Sequence, residues 1–134
     1  MSITPWRLTL DQEKVQKLKQ KLELTDLPDE VEGQGWDQGP PLSRVKQILG
    51  AWKNFDYTAF ERDINEQPNF KTTISVNGFG DLDIHFIHQR NDKPNAIPLL
   101  FVHGWPGSFL EASKIKQLLA DSSPSDPQFH LVAL

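Results

Sequence analysis

Apolar residues recur at helical spacing through the first half of the chain and at alternate positions through the second. Val15, Leu18 and Leu22 fall at i, i+3, i+7 among Lys, Gln and Glu, the stripe of an amphipathic helix. Thr9 is read as its N-cap, with Gln12 at the capping-box position. Pro28 and the Gly/Pro-rich residues 33–41 end the pattern. Trp36 is the large apolar residue of this connection and is expected to anchor it onto a neighbouring surface. Leu42, Val45, Leu49 and Trp52 then share a second helical face, which Ile48 widens. Asp56 is placed to cap a third helix, in which Tyr57, Phe60 and Ile64 repeat the spacing and Pro68 marks the stop.

From residue 71 the period changes to two. Ile74 and Val76 alternate with Thr73 and Ser75, and Leu82, Ile84 and Phe86 alternate with Asp83 and His85. Asn77, Gly78, Phe79, Gly80 and Asp81 lie between them, so the pattern predicts a β-hairpin. A polar loop follows over residues 91–95. Residues 97–102 are a continuous apolar run, expected of a strand buried on both faces. A helix is expected from about Ser108 to Ala120 with Phe109, Ala112, Ile115 and Leu119 inward. A surface loop is expected over residues 122–127, and a last apolar strand from Phe129 to Leu134. Strand, helix, strand in this order is a βαβ unit with a parallel pair. A hairpin plus one parallel pair makes a poor sheet with unpaired edges. The chain therefore reads as truncated, or as needing a partner at its exposed sheet edge.

Composition narrows the partners. Residues 1–70 carry nine basic and twelve acidic groups, and residues 71–134 carry five and six. Neither half offers the basic face that a phosphate backbone requires, so nucleic acid is a poor partner. The chain has no cysteine, which removes disulfides, thiolate catalysis and Cys-based zinc sites and fits a reducing compartment. Interrupted by Pro98, the apolar run leaves only residues 99–102 unbroken, too short to span a membrane, and the N-terminus lacks the apolar stretch of a secretory signal. An intracellular, cytoplasmic location is expected, with membrane association left open.

The candidate chemistry lies in the histidines, the glycine turns and the possible nucleophiles. His85 and His88 are three apart on an expected strand and point to opposite faces, so they do not converge on a metal. Both read as solvated or edge-strand residues. The dinucleotide fingerprint and the P-loop are absent, and Pro106 removes an N–H that a phosphate nest would use. A nucleophile elbow needs small residues on both sides of its Ser, Asp or Cys. Ser108 is flanked by Pro106 and Leu110, Asp81 by Phe79 and Asp83, and Asp83 by Asp81 and His85. None fits, so no nucleophile is visible.

There remains the strand running into His103-Gly104-Trp105-Pro106. The segment Leu82-Asp83-Ile84-His85-Phe86-Ile87-His88, together with residues 98–108, resembles the microsomal-type epoxide hydrolases of the α/β-hydrolase fold. Trp6, the junction from Trp52 to Phe55-Asp56-Tyr57, and Gln67-Pro68-Asn69-Phe70-Lys71 are similar to that family's N-terminal region. The resemblance covers nearly all of the chain.

The resemblance implies an α/β fold. Residues 1–70 would be an N-terminal helical arm, and residues 71–134 the first strands (hairpin plus βαβ) of an incomplete α/β-hydrolase sheet. It implies hydrolysis of an epoxide to a vicinal diol through an Asp alkyl-enzyme ester, with water as co-substrate and neither metal nor organic cofactor. It assigns the backbone N–H of Trp105 to the oxyanion hole, with His103, Gly104 and Pro106 as supporting motif residues. Gly104 is expected to allow the bend and Pro106 to fix the backbone beyond it, while the Trp105 indole would line the substrate cavity. The family's nucleophile, base and lid tyrosines map to no residue of this chain, and Asp81, His85 and Tyr57 do not inherit those roles. The chain is expected to be inactive alone. Two other readings stay open: a non-catalytic interaction module, and a fragment of an α/β-hydrolase esterase.

Overall fold

A computed structural model describes residues 2–120, 123 and 126–134. The strands are β1 (Ile3–Pro5), β2 (Asn69–Val76), β3 (Gly80–Gln89), β4 (Ile97–Phe101) and β5 (Phe129–Ala133). The helices are α1 (Gln12–Glu23), α2 (Leu42–Lys53), α3 (Tyr57–Asn65) and α4 (Ser113–Ala120), with one 3₁₀ turn over Phe109–Ala112. The chain divides into two packing units, Met1–Leu8 with Asp63–Leu134, and Thr9–Arg62. The change of hydrophobic period near residue 70 marks a change of secondary structure, whereas the packing boundary falls within α3.

The first unit is built on a five-stranded sheet of order β1-β2-β3-β5-β4. The hairpin is present, with Val76 opposite Gly80 and Asn69 opposite Ile87. Its loop is tighter than the five expected residues, because Gly78 and Gly80 take positive φ (83° and 77°) and close it over residues 77–79. Strand β5 runs antiparallel to β3 and parallel to β4, so the parallel pair is confirmed. The pattern did not announce β1, which is three residues long and ends in Pro5. It adds a fifth strand by pairing Ile3 with Thr72 and Pro5 with Phe70.

The expectation that residues 97–102 are buried on both faces is corrected. Strand β4 is an edge: Leu99 and Phe101 pack on the core, while Leu100 and Val102 are exposed. A continuous apolar run reports what could cover a strand, and here one face is left uncovered. The core is small and lies on the other face, where Ile87, Ala112, Leu131 and Ala133 are buried and Leu99, Phe101 and Phe109 close around them. Ile115, expected inward, is exposed, because one turn of 3₁₀ geometry precedes α4 and shifts the phase of its inward face. Of the loop expected over residues 122–127, Ser123 and Asp126 form a turn in which each backbone N–H is bonded to the other residue. Ser122, Pro124 and Ser125 lie outside the described residues.

The chain closes on itself where α3 ends. Asn65 accepts from the Leu8 N–H through Oδ1 (2.7 Å) and donates from Nδ2 to the Leu8 carbonyl (2.9 Å), as a strand neighbour would. Trp6 N–H donates to the Asn69 carbonyl one step further along (3.0 Å).

In the second unit the cap of α1 is Asp11, not Thr9. The Asp11 carboxylate accepts from the N–H groups of Glu13 and Lys14, and a carboxylate is favoured over a hydroxyl at the positive end of a helix. The Asp56 cap is as expected, accepting from Ala59 N–H at 2.9 Å. Val15 and Leu22 are buried, but α2 buries no residue, and Ile48 and Trp52 are half exposed. Trp36, expected as an anchor, is 67% exposed. Its loop is folded on its own turns, with Asp37 N–H bonded to the Gln34 carbonyl and positive φ at Gly33, Gly35 and Gly39.

Candidate functional site

The turn after β4 carries the residues singled out from the sequence. Phe101 still pairs with Ala133, and Val102 leaves the sheet. The backbone then bends through His103, Gly104, Trp105, Pro106 and Gly107 with a cis Trp105–Pro106 peptide. His103 donates from Nδ1 to the Gly104 carbonyl at 2.7 Å, which occupies that carbonyl and sets the ring tautomer. Ser108 ends the turn as an N-cap. Its hydroxyl accepts from Leu110 N–H, and Glu111 reaches back to the Ser108 N–H, forming a capping box.

The glycine on which the bend depends is Gly107. A Cβ added there would sit 2.6 Å from the Gly104 carbonyl oxygen and 3.0 Å from His103 Nδ1, and would strike the Glu111 carboxylate. A Cβ on Gly104 would meet nothing within 4 Å, and its φ is not in the left-handed region. The expectation that Gly104 permits the bend is therefore corrected: backbone folds back onto residue 107, and space is lacking there. Trp105 stands out from the turn with 97% exposure. Among the described residues nothing accepts a hydrogen bond from its N–H.

Next to the turn lies a cluster that pattern alone did not reveal. His85 is not a solvated or edge residue. It sits on β3, an inner strand, with its ring 4.6 Å from Trp6 and 4.8 Å from Phe109, each edge-on. Its Nε2 lies 2.9 Å from Asn69 Oδ1. Burial holds the His85 imidazole below its ordinary pKa, and the nearby Lys71 ammonium adds to the effect. Lys71 in turn lies over the Trp6 ring at 5.0 Å. The signal was present in the sequence as Trp6, Asn69 and His85, but only strand pairing brings residue 6 beside residue 69.

His88 is on the opposite face of β3, half-buried, 6.3 Å from the Phe70 ring. Its pKa is also lowered, by burial first and then by Arg90 and His130. A groove of about 670 Å³ opens there between His88, Arg90, His130, Leu100 and Val132, and no residue of the 103–108 turn lines it. Tyr57 begins α3, and its hydroxyl is buried with no partner among the described residues. Among the described residues no three His, Asp or Glu side chains gather as a metal site, and no helix is long and apolar enough to cross a membrane.

Comparison with known proteins identifies the family of the chain. Residues 3–112 match the family model described as epoxide hydrolase N terminus. The chain is 38% identical over 125 residues to epoxide hydrolase 1 of Sus scrofa, covering 90% of this chain and 26% of that protein. It is 33% identical to a putative epoxide hydrolase of Stigmatella aurantiaca, covering 97% of this chain and 30% of that protein. The solved structure of the Aspergillus niger epoxide hydrolase superposes with a TM-score of 0.79 at 30% identity, over 99% of this chain and 34% of that one. The chain thus spans between a quarter and a third of the length of these relatives.

Proposed function

The chain belongs to the epoxide hydrolase N-terminus family, and on that premise we propose that it supplies the N-terminal part of an α/β-hydrolase that opens an epoxide to a vicinal diol. The helical arm is the unit Thr9–Arg62, and residues 1–8 with 63–134 carry the start of the catalytic sheet. In the proposed reaction an Asp carboxylate, not among these 134 residues, attacks an epoxide carbon; the ring C–O bond breaks, its oxygen takes a proton to become a hydroxyl, and an alkyl ester forms. Water then attacks the ester carbonyl, giving a tetrahedral oxyanion that collapses to release the diol and restore the carboxylate; that oxyanion needs donors already in position. The Trp105 N–H is one such donor. The observation that carries this role is a backbone N–H at the end of a core-flanking strand that has no acceptor among the described residues, in a turn held by His103 on one side and the Ser108–Glu111 cap on the other. Pro106 cannot share the task, having no N–H.

Removing one such donor costs roughly 2.7–4 kcal/mol of barrier, so a donor matters greatly to an enzyme. Without a nucleophile and base, however, it has nothing to stabilise. The 134 residues alone are therefore inactive, requiring neither metal nor organic cofactor, with the epoxide and water as the completed enzyme's small-molecule partners. The test is a chimaera in which these residues replace the matching third of the Aspergillus niger enzyme, assayed beside the isolated chain with an aromatic epoxide. Diol formation by the chimaera and none by the chain is expected. A cooperatively folded chimaera without activity, or turnover by the chain alone, overturns the proposal.

A further inference from the structure

Asn69 is nearly fully buried, and each of its side-chain atoms has a defined partner. Its Nδ2 donates to the Ile64 carbonyl (2.7 Å) and to the Gln67 carbonyl (2.8 Å). Both N–H bonds are thereby used, which fixes the amide's orientation and leaves Oδ1 as an acceptor facing His85 Nε2. His85 must then carry its proton on Nε2. The imidazole is thus fixed at one edge by Asn69 and gripped by Trp6 and Phe109. Phe109 follows Ser108 directly, so the ring contact bears on the first residue of the capped turn. The same cap carries Glu111, whose carboxylate stands where a side chain on Gly107 would project, and the Gly104 carbonyl and His103, themselves hydrogen-bonded, crowd that same position.

We propose that His85 is a positioning residue: oriented by Asn69, it sets Phe109, and through the Ser108–Glu111 cap and Gly107 it holds the Trp105 N–H in place. This rests on the reading of Trp105 as an oxyanion donor. It adds that the donor's precision comes from the sheet interior rather than from the exposed turn. Catalytic geometry of this kind is sensitive, since a displacement of about 1 Å can cost 10²-fold in rate.

The first measurement uses the unaltered chain. Imidazole ¹⁵N shifts are expected to show His85 protonated on Nε2, and an Nδ1–H tautomer overturns the proposal. The second compares His85→Phe, which keeps a ring and loses the donor, with His85→Gln, which keeps a donor. His85→Phe is expected to move the amide resonances of Trp105 and Gly107, and His85→Gln to return them toward their original positions. Shifts confined to Trp6, Asn69 and Phe109, with the turn unmoved, overturn the proposal. If His85→Phe does not fold, Phe109→Leu removes the ring contact while leaving the Asn69 bond intact, and the same two amides must move.

The third places His85→Phe in the chimaera and follows the alkyl-enzyme ester. Its hydrolysis is expected to slow about 10-fold while its formation is unchanged. If the amides move and ester hydrolysis does not, the reading of Trp105 fails while the positioning role of His85 stands.

Discussion

The sheet unit and the helical unit solve the problem of burial differently. Around β3 and β5 the chain completes a closed cluster, in which Ile87, Ala112, Leu131 and Ala133 are all but inaccessible, and buried polar groups such as Asn69 are fully paired. In residues 9–62 the helices carry equally regular stripes, yet α2 buries nothing and Ile48, Trp52, Phe55 and Trp36 stay 43–67% exposed. Amphipathic periodicity thus states which face a helix can bury. It does not state that these residues bury it. The sheet has its core because strand pairing brings distant segments together, whereas helices α1–α3 bury only Val15, Leu22 and Ile64 and leave most of their apolar faces open.

The comparison breaks most readily in the sheet. Leu131→Ala removes a fully buried side chain and should destabilise by about 2–5 kcal/mol, read as a lower urea midpoint with a cooperative transition. A loss below about 1 kcal/mol would mean that the cluster is not the stabilising core. Gly107→Ala comes next, at about 1–3 kcal/mol, the usual cost of overpacking, because backbone as well as side chain must retreat from the new methyl group. Amide spectra should show the change centred on residues 103–111, and an unperturbed Trp105 amide would contradict the crowding.

Acid gives a smaller and graded effect. Burial holds the His85 and His88 pKa values below the ordinary histidine value in the folded chain, so the unfolded chain binds protons more readily. Their contribution is complete above about pH 6.5 and is lost as pH falls through the depressed folded values. Urea midpoints should therefore fall from pH 7.5 to pH 5, and less steeply in His85→Gln. An equal slope in that variant would remove His85 from the account. The smallest effect belongs to the helical unit. Ile48→Ser should change stability by no more than about 0.5 kcal/mol, and a loss comparable with that of Leu131→Ala would erase the contrast between the two regions.

Much of this is legible in the amino-acid sequence. The hairpin, the parallel pair, the three helices, the Asp56 cap and the turn at 103–108 all come from local pattern, because local backbone preference and side-chain period decide them. The misses share one cause, which is that tertiary placement decided them. Thr9 and Asp11 are both good caps, and the choice between them is made by where the helix starts. β1 is too short to show a period and exists because β2 has a free edge. The apolar run of β4 cannot reveal which of its faces stays open. Gly104 and Gly107 look alike in sequence, and only the return of the backbone onto residue 107 tells them apart. His85 looked solvated because its neighbours, Trp6 and Phe109, lie 79 residues before it and 24 after.

The paired bonds between Asn65 and the Leu8 backbone make residues 9–64 a closed excursion from the sheet. Its two ends are joined before either continues into a strand. Closing such a loop costs entropy that grows only with the logarithm of its length, about 0.6 kcal/mol for each doubling. Residues can thus be gained or lost within the excursion at little thermodynamic expense, while β1, β2 and everything they position keep their register. The helices are free to change length and surface because the sheet does not measure the path between Leu8 and Asn65, only that it returns.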